Sequence, residues 1–421
     1  METEVLQIVT PDEVDVGQRT PLDEAIVSDA RRIVMAVRSG GDESLRDYAI
    51  EFDGLEPDDP LVLDEAALAD AFHALPSRQQ EALVSTHERI RKFSQAQFDC
   101  LDDLELDVRG GQAGHTIKAV EIAGCYAPGG GYPLPSSVLM TATPANVAGV
   151  STVIVASPNP DPVTLAAAHA CDVDLVITAG GAQAMGAFAF GTESIPRCDV
   201  VVGPGGPWVT AGKKAITGYV RTDFMAGPTE LVILADGSAD PALLAADLIA
   251  QAEHAPEALP VLVTPDADVI RATDEHLLEQ LNGLPTAEVA RQALERGYAV
   301  KVPTLEVGVD VCNDLAPEHL QLAVDDAQAL VDVIDRYGTL FVGQLSAEAL
   351  GDYGIGPNHV LPTGGAARFT GGLSVLDFLR LPTWVAVDDT VPSEFVRDAS
   401  ALARMEGLEG HARSIERRRE E

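Results

Sequence analysis

An α/β fold made of two similar units is predicted for this chain, and three observations carry it. Short apolar runs at 152–156 (TVIVA), 175–178 (LVIT) and 199–202 (DVVV) alternate with Ala-rich stretches at 161–170 and 182–190. This is the βαβαβ pattern of half a doubly wound parallel sheet, whose strands are covered on both faces and so lack polar alternation. A second series of runs follows at 231–235, 260–264, 299–302 and 339–342, again separated by helical periodicity. Finally, 421 residues with 46% hydrophobic and 5% aromatic content supply two aliphatic cores more readily than one.

Taken in order, residues 1–20 are polar and proline-punctuated and read as an arm outside the core. From Leu22 to about Gln97 the pattern is helical, with Asp64 and Ser77 as caps and a break at Gly40-Gly41. The basic cluster between Arg78 and Lys92 reads as a solvated helix face. Residues 104–108 and 118–122 flank a Gly-rich turn and predict a hairpin. The loop 125–131 (CYAPGGG) suits either a plain turn or a backbone lying against a cofactor.

The stretch Arg221 to His254 organises the rest. Ala226-Gly-Pro-Thr-Glu230 has few bulky side chains, and Leu231 to Ala235 is a buried strand. A helix from Pro241 to Glu253 follows, with Asp240 as its N-cap. Gln251 and His254 are three apart and share one face of its last turn. Past Val342 come Gly-rich loops at 351–359 and 363–368, common places for chemistry. From Ser393 the chain is helical and polar, and it carries His411 before the mixed-charge run 416–421.

The net charge is -38, from 66 Asp and Glu against 28 Lys and Arg. Such a surface repels nucleic acid and anionic membrane, so neither is expected as a partner. Only Lys92, Lys118, Lys213, Lys214 and Lys301 are lysines, a composition similar to that of proteins from salt-loving organisms. Cys100, Cys125, Cys171, Cys198 and Cys312 form no CxxC, which fits a reducing compartment and argues against a disulfide framework. The N-terminus has no signal-peptide pattern and no apolar run reaches a membrane span, so a soluble cytoplasmic protein is expected.

Four stretches hold reactive groups in small or apolar settings. Gln251 and His254 offer an oxygen and a nitrogen side by side. Glu318-His319 is an adjacent carboxylate and imidazole that could divide proton traffic, or could be a surface turn. Asp352 and His359 lie in the first glycine loop, and His411 stands alone on its helix. Two His, an Asp and a Gln would make an N2O2 site suited to zinc if they met in space. No GxGxxG occurs; Gly203-Pro-Gly-Gly-Pro207 is the nearest and lacks the third glycine.

Together these stretches resemble the histidinol dehydrogenase family. The resemblance runs from about Ile26 to Ala412 and rests on YAPGG (126–130), PSSVLMTATPANVAGV (135–150), GGAQAMGAFAFGTESIP (180–196), AGPTE (226–230) and QAEH (251–254). NDLAPEHL (313–320), GDYGIGPNHVLPTGGAARF (351–369) and EGLEGHA (406–412) complete it. It implies two incomplete Rossmann-like units with a helical N-terminal region and a C-terminal helical tail. The first unit would be 21–105 with 230–370, the second 106–229, and the tail 371–421 would serve dimerisation. That family also lacks the dinucleotide fingerprint.

By the same resemblance, one zinc per subunit falls on Gln251, His254, Asp352 and His411, and the catalytic pair on Glu318 and His319. Substrate contacts fall on Thr229, His359 and Glu406 as well as on Gln251, His254, His319, Asp352 and His411, and NAD contacts on Tyr126 and Gln183. The family commonly has GPGN where this chain has Gly203-Pro-Gly-Gly206, so a side-chain contact to NAD is lost or replaced there. A homodimer is implied, the tail of one subunit completing the other's site. The implied reaction is the four-electron oxidation of L-histidinol to L-histidine, in which zinc holds the substrate, His319 is the base and Glu318 activates water. Two other readings are compatible with the residues. One is a relative that oxidises another small polar alcohol with NAD, against which His359 and Glu406 speak. The other is a zinc hydrolase that uses Glu318 and needs no NAD.

Overall fold

In the computed structural model, which describes residues 5–16, 22–129 and 132–418, the apolar runs assemble as two sheets. The first has the order Gln7–Val9, Tyr298–Lys301, Leu259–Thr264, Glu230–Ala235, His319–Ala323, Thr339–Val342, and all its pairings are parallel. Glu230–Ala235 is buried at every position because helices cover both faces, as its unbroken apolar run requires. The helix Pro241–Ala252 begins as expected, the Asp240 side chain accepting from Ala242 N at 2.9 Å.

The second sheet has the order Arg221–Thr222, Val200–Val202, Ile122–Tyr126, Thr152–Ala156, Leu175–Ile177, Val62–Asp64. Its pairings are parallel except the last, where Val62–Asp64 runs antiparallel to Leu175–Ile177. The Ala-rich stretches form the helices Pro162–Ala170 and Gly181–Phe190 between its strands. Both sheets belong to the larger of two compact units, Met1–Phe98 with Val120–Phe378.

Four expectations need correction. The segment 24–98 belongs with the second sheet, not with 230–370. Helix Glu24–Asp53 buries Ile33, Val34 and Val37 in the core around Met185, Phe188 and Val201, and Val62–Asp64 extends that sheet. Nor is the start of the chain only an arm: Leu6 is fully buried and Gln7–Val9 forms the edge strand beside Tyr298–Lys301. Residues 1–4 and 17–21 lie outside the described residues.

The predicted hairpin forms with a different partner. Gly110 and Gly111, at φ 91° and 148°, turn the chain so tightly that Leu104–Val108 pairs with Gly111–His115 at once. The expected second arm is divided instead: Lys118–Ala119 pairs with Leu379–Arg380, and Ile122–Tyr126 becomes a central strand of the second sheet. Ser77 is the first residue of helix Ser77–Phe98 rather than its cap. Asp64 does cap its helix, and Gly41 breaks helical geometry at φ 57°.

The smaller unit is Asp99–Ala119 with Leu379–Glu421. In it Thr383–Val387 joins Leu104–Val108 and Gly111–His115 in a three-stranded antiparallel sheet, and the helices Ser393–Met405 and Glu409–Glu416 follow. The tail thus starts as a strand before it turns helical. Among the described residues no helix is long and apolar enough to cross a membrane.

Candidate active site

Two neighbouring strands of the first sheet start together and set the site. Leu231 lies opposite His319 in the parallel ladder, so Thr229, Glu230, Glu318 and His319 meet at the amino-terminal edge. Helix Pro241–Ala252 leads from the end of one strand back towards the start of the next, which returns its last turn, with Gln251, to this edge. His254 follows just beyond it. The short helix Glu348–Asp352 and the loop after it supply Asp352 and His359, and Asn358 ties that loop to the helix Pro135–Ala148 by donating to Met140 O at 2.6 Å.

Asp352 is the centre of the group. Its carboxylate oxygens lie 3.5 Å from His254 Nε2, 3.7 Å from His359 Nδ1 and 3.9 Å from His319 Nε2. Burial works against the Asp352 carboxylate, but the hydrogen bond from His254 and the charges of His359 and His319 outweigh it and hold the group below its ordinary range. The same hydrogen bond raises His254.

The His319 ring has a defined tautomer. Nδ1 lies 3.1 Å from the carbonyl oxygen of Glu230, and a carbonyl can only accept. The hydrogen is therefore on Nδ1, and Nε2 keeps the lone pair. Burial pushes the imidazole down to about 4, so it is neutral at ordinary pH. Beside it, Glu318 Oε2 accepts from Thr229 Oγ1 at 2.6 Å and from Glu230 N at 3.0 Å. Burial nonetheless raises the Glu318 carboxyl well above its ordinary range, which makes it a stronger base.

The polar contacts also orient Gln251. The Thr229 hydroxyl gives its hydrogen to Glu318, so it accepts from Gln251 Nε2, at 2.9 Å. That leaves Gln251 Oε1 buried with no partner among the described residues. An orphaned acceptor at the carboxyl end of a helix, where the dipole is negative, an imidazole just beyond it and the Asp352 carboxylate 3.5 Å from that imidazole fit a divalent cation.

One member of the group was missed by sequence reasoning. Glu348 is buried, both its carboxylate oxygens lack hydrogen-bond partners among the described residues, and Oε1 is 3.6 Å from His319 Nδ1. Its ligand atom and those of His254 and Asp352 all lie within 4.8 Å of one another. The signal was the four-residue spacing of Glu348 and Asp352, which puts both on one helix face.

Tyr126 and Gln183 form a second group, at the carboxyl ends of strands in the second sheet. Tyr126 closes the strand at which the strand order reverses, and ligands of open parallel sheets bind at such a crevice. Its hydroxyl accepts from Gly181 N at 3.2 Å, and Gln183 is buried beside it. Gly203 is at φ 117°, and a Cβ there would stand 2.2 Å from Tyr126 O, so only glycine lets that loop close on Tyr126. At Gly206 a Cβ would meet nothing within 4 Å, so packing leaves room for the side chain this chain lacks. Gly130 and Gly131 lie outside the described residues.

Thr229, Gln251, His254, Glu318, His319, Asp352 and His359 are thus gathered in one place. Glu406 and His411 are not among them. They belong to the smaller unit, where both are exposed, at the end of helix Ser393–Met405 and on helix Glu409–Glu416.

Comparison with known proteins gives consistent results. The family model described as histidinol dehydrogenase matches residues 18–419. Histidinol dehydrogenase of Thermus thermophilus is 44% identical over 398 residues, covering 94% of this chain and 95% of that protein. The Halobacterium salinarum histidinol dehydrogenase is 42% identical, with 100% of each chain covered. Among solved structures, histidinol dehydrogenase from Elizabethkingia anophelis superposes with a TM-score of 0.93 at 28% identity, over 99% of both chains. An acetylating aldehyde dehydrogenase from Geobacillus thermoglucosidasius shares the fold alone, with a TM-score of 0.52 at 13% identity over 89% of this chain and 94% of that one.

Proposed function

This chain belongs to the histidinol dehydrogenase family, and we propose that it converts L-histidinol to L-histidine through enzyme-held L-histidinaldehyde, using zinc and two NAD per turnover. These are the last steps of histidine biosynthesis, carried out in the cytoplasm. The observation that carries the proposal is the His319 ring, held by Glu230 O with its basic Nε2 on the side of Asp352.

Gln251, His254 and Asp352, with His411 of the partner subunit, are the residues that would hold zinc in a homodimer whose tail, 371–421, reaches the neighbouring site. Bound there, the cation would fix the amino and imidazole nitrogens of the substrate. Tyr126 and Gln183 are the residues that would hold NAD, whose chemistry would be to accept a hydride in each oxidation. In the first, His319 Nε2 takes the hydroxyl proton as the carbon–hydrogen bond breaks, leaving the aldehyde. Glu318 then takes a proton from water as the water oxygen adds to the aldehyde carbon, and His319 returns its first proton to the former aldehyde oxygen, which gives the hydrate. In the second oxidation His319, neutral again, takes the hydrate's hydroxyl proton. His359 and Thr229 complete the pocket, and Glu406 of the partner subunit would pair with the substrate's charged amine.

The test is NADH formed per L-histidinol consumed, in concentrated salt to suit the acidic surface, before and after chelation. Two NADH per substrate, abolished by chelator and restored by zinc, is the expected result. Bound NAD with no NADH from histidinol would move the substrate to another alcohol. A second prediction separates the two steps. Glu318→Gln keeps the acceptor for Thr229 and loses the base, so it should slow oxidation of supplied histidinaldehyde at least about tenfold more than the first oxidation. Equal losses in both steps would refute the assignment.

A further inference from the structure

Asp53 stands where local physics opposes it. It is the last residue of helix Glu24–Asp53, and the chain leaves through Gly54 at φ 73°. A carboxylate in the last turn faces the negative end of the helix dipole. Burial raises its carboxyl above the ordinary range, and hydrogen bonds from Gly180 and Gln183 offset this only in part. Nothing about ending this helix calls for an acid, so its use lies in what it holds.

Asp53 Oδ2 accepts from Gly180 N and from Gln183 Nε2, each at 2.8 Å, across 127 and 130 residues of sequence. Next to these, Gly181 N donates to the Tyr126 hydroxyl. Asp53 and Tyr126 therefore take up two consecutive amides, those of Gly180 and Gly181, in the loop that follows strand Leu175–Ile177, and Gln183 bonds to the same Asp53 oxygen. A carboxylate cannot donate, so it also settles which way round the Gln183 amide lies: nitrogen to Asp53, oxygen left over as an acceptor.

We propose that Asp53 is a positioning residue of the cofactor site, fixing the Gln183 amide so that its oxygen is presented to NAD. This rests on the reading of Tyr126 and Gln183 as cofactor residues. Asp53 reaches the cofactor through Gln183 and takes no part in proton or hydride transfer.

The experiment is direct titration of NAD into the full-length protein, without substrate, for wild type, Asp53→Ala, Gln183→Ala and the double variant. Asp53→Ala removes the one oxygen that accepts from both Gly180 N and Gln183 Nε2, so the Gln183 amide is no longer held. The expected result is an NAD dissociation constant raised roughly tenfold, the range of one hydrogen bond to a charged group. In the Gln183→Ala background the same change should add less than about twofold, because contacting residues are not additive. In turnover, KM for NAD should rise while kcat and the KM for histidinol stay near wild type. Unchanged NAD affinity in Asp53→Ala, or the same penalty in both backgrounds, would overturn the inference. So would parallel losses in NAD affinity, kcat, the KM for histidinol and melting temperature, which mark a merely structural residue. Wild-type protein that binds no NAD would overturn the cofactor reading itself, and this inference with it.

Discussion

His319→Asn is expected to lower kcat for histidinol oxidation by about 100- to 10,000-fold, the usual contribution of a positioned general base, with NAD affinity unchanged. The asparagine amide can still donate towards Glu230 O, as Nδ1 does at 3.1 Å, so the local backbone keeps its partner. What disappears is Nε2, which lies 3.9 Å from Asp352 Oδ1 in the middle of the gathered residues. Both oxidations should slow together, since one nitrogen serves both, and this distinguishes the variant from Glu318→Gln. The wild-type pH profile offers a parallel check. A protonated imidazole cannot take a proton, and burial holds His319 down to about 4. Activity should therefore persist well below pH 6.5, where an ordinary imidazole would already be half protonated. An acidic limb at 6.5 or above, or a His319→Asn variant with near-normal kcat, would remove His319 from the role of base.

Lys213→Met is expected to destabilise the protein by about 3–5 kcal/mol, the cost of leaving one charge of a buried pair without its partner. The Lys213 ammonium bonds the Asp223 carboxylate and the Gly203 carbonyl, and Asp223 Oδ2 accepts from Gly203 N at 2.7 Å. With only 2% and 1% of the two side chains exposed, water cannot replace the lost partner. Burial already pushes Asp223 up, and removing the lysine takes away the charge that lowers it. The stranded carboxyl would then take up a proton as pH falls, so the deficit should shrink at acidic pH and be largest above neutrality. Denaturant midpoints at pH 5 and pH 8 read this directly. A midpoint shift worth less than about 1 kcal/mol at pH 8 would mean that the pair is not held as described, since even the median exposed pair contributes up to that much. Because the pair grips both backbone groups of Gly203, the variant should also loosen the loop beside Tyr126 and weaken NAD binding.

How much of this was legible in advance differs between fold and site. The strands at 152–156, 175–177, 200–202, 230–235, 259–264, 298–301 and 339–342 could be read because a strand covered on both faces needs an unbroken apolar run, whereas Val62–Asp64, Arg221–Thr222 and His319–Ala323 were not predicted. The Asp240 cap was equally local, set by a spacing within a few residues, although the helix ends at Ala252 and leaves His254 just beyond the face predicted for it. Chain-wide motif order then supplied the family and the site residues, which spacing alone left undecided between ligand and solvated group.

The tertiary structure decided what depends on partners far along the chain. Gln7–Val9 looks like a polar arm until Tyr298–Lys301 offers its edge, and helix Glu24–Asp53 does not show in its own sequence which sheet its apolar face will cover. Glu348 reads as an ordinary helical glutamate until burial strips it of water beside His319. Asp53 reads as a solvated helix end until Gly180 and Gln183, more than a hundred residues away, arrive at its carboxylate. Periodicity reports which face of an element is apolar, and motif order reports kinship. Which donor meets which acceptor is fixed only when distant segments pack, because burial turns a solvated polar group into one that must find a partner. Sequence thus determined most of the elements and the family of this protein. Packing alone determined the orientation of His319, the orphaned oxygen of Gln251 and the hold of Asp53 on Gly180 and Gln183.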